Sequence, residues 1–225
     1  MDEVDLLKGG QAQDLLDAGR RDHYLARFSA EVEVLTNSPP CNTFSRARHS
    51  AVSGPPPVRD WQRQRGFTNL APWAQKSVQG ANTLADFALD AMHVAADAGV
   101  LAVLEFPEDL GATPRGVPAS IWQRDDLEAL GNQGFVRGAL YQDKWSPVSY
   151  LKPTGLLSNA VRLRHGEDLH EGWPQFNDDL VYEGPLPKRE ITGRGLIGKE
   201  DDGTFRTAPT AAYHAAMCMR LAGIF

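Results

Sequence analysis

Cys41 is one of only two cysteines, and it stands in the string Pro39-Pro40-Cys41-Asn42-Thr43-Phe44-Ser45-Arg46. A cysteine does chemistry as its thiolate, which positive surroundings favour. Residues 41–80 supply such surroundings. They carry six basic side chains (Arg46, Arg48, Arg59, Arg63, Arg65 and Lys76) against one acid, Asp60. Residues 1–40 carry four basic and eight acidic side chains. The basic stretch therefore follows the thiol directly, where it predicts a lowered thiol pKa and a surface for a phosphate backbone. A solvated basic loop is the plain alternative. The second reactive group is Glu105, near the end of the apolar run from Val100 to Phe106.

The elements around these residues predict that they meet. Val32 to Leu35 reads as a short strand, ended by the turn-forming Asn37-Ser38-Pro39-Pro40. Thr83 and Asp86 form a capping-box pattern, and apolar residues at helical spacing follow to Ala98 before Gly99. The continuous run from Val100 suits a parallel strand buried on both faces. Strand, helix and strand make a right-handed βαβ unit, whose strand ends share one edge of the sheet. Ligands bind at such edges, so the pattern brings a thiol and a carboxylate to one crevice. Residues 42–78, rich in Arg, Pro, Ser and Gln, read as a long loop. Residues 11–29 and 119–130 read as helices, 135–141 and 148–157 as strands, and 165–204 as irregular. The fold class expected is α/β: a parallel sheet with flanking helices and an irregular C-terminal extension. The domains expected are an α/β core over 1–130, a loop-rich region over 131–209 and a closing helix over 210–225.

The string around Cys41 resembles the catalytic loop of the cytosine-5 DNA methyltransferase family, where a Pro-Cys pair follows a strand and Phe-Ser comes three residues after the Cys. Leu104-Glu105-Phe106-Pro107 matches the family's Glu-Asn strand end, with Phe106 in place of the Asn. Gly80-Ala81-Asn82-x-Leu84 and Lys152-Pro153-Thr154 with Asn159 resemble segments of phage-type relatives. The resemblance covers residues 30–107 and thins beyond them. It implies an incomplete Rossmann-like methyltransferase fold in which Cys41 adds to C6 of an extruded cytosine and Glu105 assists at N3, with S-adenosylmethionine as methyl donor. It further implies Asp5, Pro39 and Asn82 on the cofactor side, Ser45, Arg46, Arg48, Arg63 and Arg65 on DNA, and Arg162 and Arg164 as stand-ins for an Arg-x-Arg element.

The Gly-rich first-strand turn by which that family binds its cofactor is not found upstream of the Cys41 strand, so a chain starting inside the nucleotide-binding half is expected. The alternatives are a non-catalytic nucleic-acid-binding domain and a protein-interaction domain, both derived from a mobile element. The net charge of −6 argues against nucleic-acid binding over the whole surface. Two cysteines make neither a disulfide framework nor a cysteine-based zinc site, and no metal is expected. His165 and His170, with Glu167 and Asp168, read as a solvated loop. Trp61 and Trp73 lie within the basic stretch, where they either stack on bases or anchor the loop. No apolar run approaches the ~20 residues that span a bilayer. An intracellular protein with DNA as partner and no membrane is the expectation.

Overall fold

The computed structural model describes residues 10–50, 55–145, 151–160, 169–189, 200–204 and 217–219. Helix α1 (Ala18–Ala30) starts where the Asp17 side chain accepts the Arg20 N–H at 2.8 Å. Strand β1 (Val34–Asn37) follows. Helix α2 runs from Pro72 to Ala98, longer than the spacing predicts. Pro72 opens it, since proline's missing N–H costs nothing in the first turn. Thr83 and Asp86 fall inside it, and the Asp86 carboxylate accepts from Arg65 and Arg124 instead of capping. The expected long loop therefore ends at Ala71.

Strand β2 (Leu101–Pro107), helix α3 (Asp125–Asn132), strand β3 (Val136–Tyr141) and strand β4 (Pro153–Ser158) complete the main layer, with the two-residue β5 (His170–Glu171) at its far edge. The order is β1-β2-β4-β3-β5. β1 and β2 pair in parallel from Val34↔Leu101 to Asn37↔Leu104, as the βαβ pattern predicts. The rest of the sheet corrects the expectation of a parallel sheet. β4 runs antiparallel between β2 and β3, and β5 runs antiparallel to β3. β4 is buried along nearly its whole length, so its residues read like those of a doubly covered parallel strand and carry no mark of direction. A separate small ladder joins β6 (Gln175–Phe176) to β7 (Tyr182–Gly184), so the described part of 165–204, expected to be irregular, holds three short strands.

One sheet face packs Ala102, Leu104, Phe106 and Leu157 against Ala85, Ala88, Leu89 and Met92 of α2 and Leu127 and Leu130 of α3. The alanines let α2 lie close to the sheet. The other face holds Val103, Leu140, Leu156 and Ala160 against Met217. Residues 217–219 are helical, and the rest of the expected closing helix lies outside the described residues.

A buried ionic knot ties the strand ends together. Arg137 of β3 pairs with Glu108, both side chains fully buried. Its Nη1 donates to the Gly172 carbonyl at 2.8 Å, and its guanidinium lies 4.7 Å from the Trp122 ring centroid. The Tyr182 hydroxyl donates to Glu108 at 2.7 Å. Gly155 of β4 is required beneath it, since a Cβ there would stand 2.7 Å from both Arg137 and Trp122. Arg137→Met leaves the Glu108 charge buried without its partner and is expected to cost about 3–5 kcal/mol in urea unfolding. Glu108→Leu with Arg137→Met, which removes both charges, is expected to cost less than Arg137→Met alone.

Candidate functional site

The C-terminal end of β1 is fixed by Asn37, whose Nδ2 donates to the Ala88 carbonyl of α2 at 2.9 Å. Pro39 is buried and Pro40 exposed, and the chain then turns at Cys41, whose carbonyl accepts the Phe44 N–H at 3.0 Å. Phe44 meets Phe106 edge-on at 5.3 Å. Arg59 covers the Phe44 ring, its guanidinium carbon 3.9 Å from the centroid. Phe106, which departs from the family pattern, thus anchors the reactive turn to β2. Ser45 accepts the Ala47 N–H at 3.2 Å and starts a short 3₁₀ turn over Arg46–His49.

Cys41 is half-buried and packs beside the main core. Glu105, half-buried on β2 opposite Leu156, is near enough to act on the thiol electrostatically. The two strand tips therefore lie within electrostatic range, with Cys41 packed on the Leu104–Phe106 face of the sheet and Glu105 paired with Leu156 on the Val103 face. The direction of the effect corrects the expectation of an activated thiol. Burial, and then the Glu105 charge, push the Cys41 pKa above the ordinary thiol value. Lys152 and the residue's own backbone N–H oppose them. Neither Arg46 nor Arg48 is among the causes. Lys152 reaches this edge because β4 is reversed, so the residue before its first position lies beside the residues after β2. The Glu108 N–H donates to the adjoining Pro153 carbonyl at 3.0 Å.

The basic stretch is turned largely to internal work. Arg46 donates to the Gly111 and Ala112 carbonyls. Arg48 donates to the Asn42 carbonyl at 2.7 Å and the Pro56 carbonyl at 3.0 Å. Arg63 pairs with Asp60, and Arg65 with Asp86 at 2.7 and 2.8 Å, both on the surface. Asn82, expected beside a cofactor, accepts from Arg59 at 2.9 Å and donates to the Arg65 carbonyl at 2.9 Å. Asp5, Arg162 and Arg164 lie outside the described residues.

Arg59, Lys152 and the cavity below carry weight that sequence reasoning did not give them. Arg59 is 1% exposed, and burial, with Arg65 and Arg48 nearby, brings its pKa down to about 10. Its described hydrogen bonds go to Gln64, Asn82 and Val78, all uncharged acceptors. The one available signal was the hydrophobic neighbour Val58. Nothing in the local sequence marks Lys152 as a neighbour of Cys41, because that contact needs the direction of β4.

A cavity of about 390 Å³ opens beside the turn. Pro40 and Asn42, on either side of Cys41, line it together with Leu16 and the Trp73–Leu84 part of α2, including Lys76, Ser77, Gly80 and Ala81. Trp73 is 62% exposed at its rim. Among the described residues that line it there is no carboxylate. Among the described residues no group of three or more His, Cys, Asp or Glu is placed to hold a metal, and no helix is long and apolar enough to cross a membrane. No family model, curated protein or solved structure matches the chain.

In a Cys218→Ser background, alkylation of Cys41 by iodoacetamide is expected to follow an ionisation above the free-thiol value of about 8.5. Glu105→Gln lowers that midpoint and Lys152→Met raises it, as a pH–rate series would read. Linkage gives a matching sign for stability. A thiol held protonated by the fold contributes fully below about pH 8.5, and the contribution is lost as pH rises through the folded value.

Proposed function

We propose that the chain is a cytosine-5 DNA methyltransferase-like protein, with Cys41 as the nucleophile toward cytosine C6 and Glu105 as the group that assists at N3. What supports this reading is a half-buried thiol after one parallel strand and a carboxylate on the next, close enough to act on each other electrostatically. Thiolate addition at C6 turns C5 into an enamine-like carbon able to take a methyl group. The charge that develops on the ring is relieved by a proton at N3, which a carboxyl such as Glu105 supplies. The raised thiol pKa means that the Cys41 proton must leave before attack, and the ionised Glu105, whose charge contributes to that shift, would take it and pass it on to N3. Lys152 is placed to stabilise the thiolate once it forms.

S-adenosylmethionine would supply the electrophilic methyl group. The open cavity against Pro40 offers the apolar surfaces of Leu16, Pro40, Ala81, Leu84 and Trp73 to the face of an adenine ring. Among the described residues lining it there is no carboxylate for the ribose hydroxyls or the amino group. The described residues therefore fit the adenine half of the cofactor alone.

Incubation with S-adenosylmethionine and duplex DNA carrying 5-fluorodeoxycytidine is expected to give a covalent protein–DNA complex that survives denaturation. Cys41→Ser abolishes it, and Glu105→Gln slows it by about 10²-fold or more. DNA binding that persists unchanged in Cys41→Ser, with no adduct from the native chain, would replace the enzyme with a non-catalytic DNA-binding domain.

A further inference from the structure

Arg46 spends its guanidinium on backbone carbonyls and holds the segment after Cys41 to a distant part of the chain. Its Nη1 donates to the Gly111 carbonyl and its Nη2 to the Ala112 carbonyl, the latter at 2.7 Å. Both acceptors belong to the turn that follows β2. That turn has its own supports. Asp109 accepts the Gly111 N–H at 2.9 Å and the Gln123 side chain at 2.7 Å. The Ala112 N–H donates to the Leu180 carbonyl at 2.8 Å, and Gly111 bridges to Val181. Gly111 has φ +65°, and a Cβ there would stand 2.3 Å from the Leu180 oxygen and 2.7 Å from the Phe176 ring. The β6–β7 hairpin thus lies directly on the turn that Arg46 grips.

The hairpin is itself held in place. The Asn177 side chain accepts the Asp179 and Val181 N–H groups, each at 3.0 Å, which sets its tip. Tyr182 bonds the buried Glu108 at its base. Arg46 therefore carries the two shorter of the described side-chain bonds by which the hairpin, through the turn after β2, reaches the segment carrying Cys41; the third is Thr113 Oγ1 donating to the His49 carbonyl at 3.3 Å. Arg48, by contrast, bonds carbonyls at Asn42 and Pro56, close to it in sequence.

We propose that Arg46 is a positioning residue: its fork on Gly111 and Ala112 transmits the placement of the β6–β7 hairpin to the Cys41 turn. The inference rests on Cys41 being the reactive thiol of the reading above. A planar guanidinium donates to two adjacent carbonyls at once, which a lysine ammonium does not reproduce. Loss of the fork leaves the 42–49 segment joined to the chain after β2 by the longer Thr113–His49 bond and to β2 itself through Phe44.

The test uses the full chain with Cys218→Ser and reads iodoacetamide alkylation of Cys41 at fixed pH, with hydrogen exchange across 42–49. Arg46→Met is expected to speed alkylation by about threefold or more and to raise exchange in that segment. Arg46→Lys gives an intermediate value. Asn177→Ala, remote from the thiol, speeds alkylation in the same direction. The Arg46→Met/Asn177→Ala double variant is no faster than Arg46→Met alone, because both act through one link. An unchanged rate in Arg46→Met, multiplying effects in the double variant, or exchange that rises equally in α2 and β2 would overturn the proposal. The readout needs neither DNA nor methyl donor. A missing DNA adduct therefore removes the proposed function and leaves this inference to its own result.

Discussion

The parallel pairing of β1 with β2 is the constraint on which the rest is arranged. Two parallel neighbours need a crossover, and α2 provides it across one sheet face, with its alanine-rich side against Ala102, Leu104 and Phe106. Both strands then end at the same edge. Cys41 follows one and Glu105 lies near the end of the other, so the charge of one acting on the other is a consequence of strand direction. The Phe44–Phe106 contact locks the arrangement from the loop side, since it joins the turn after β1 to the core beneath β2.

The arginines that make residues 41–80 positive act mainly as staples. Carbonyl oxygens are scarce partners for a cation in water but good ones in a dry interior, where a guanidinium can satisfy several at once. Arg46, Arg48 and Arg59 use this property to hold a segment with little regular structure. Arg59 is the extreme case, buried over an aromatic ring with uncharged acceptors. A run of basic residues in such a loop therefore reports the need to organise backbone as readily as it reports a polyanion.

The thiol sits under opposed influences. Burial and Glu105 favour its neutral form, and Lys152 favours the thiolate. A site of this type is quiet at rest and gains reactivity when its charges are rearranged. The lysine is there because the reversed β4 starts at the edge where β2 stops. An all-parallel sheet would have put that residue at the opposite edge, far from Cys41.

The sequence by itself determined the βαβ unit, because alternation of apolar runs with a helical period is a local signal that also implies strand direction when a helix intervenes. It also located the ends of the helices at 18–30 and 125–132 to within two residues, while their expected starts at 11 and 119 fall on or before short 3₁₀ turns that precede them. The start of α2 was misplaced because a capping-box pattern inside a helix looks like one at its beginning, and only packing distinguishes them. Strand direction for β4, the inward use of the arginines and the thiol's raised pKa were decided by tertiary structure alone. Each depends on which groups become neighbours after burial, and a residue's type carries no record of the partners that a distant strand or carbonyl will bring to it.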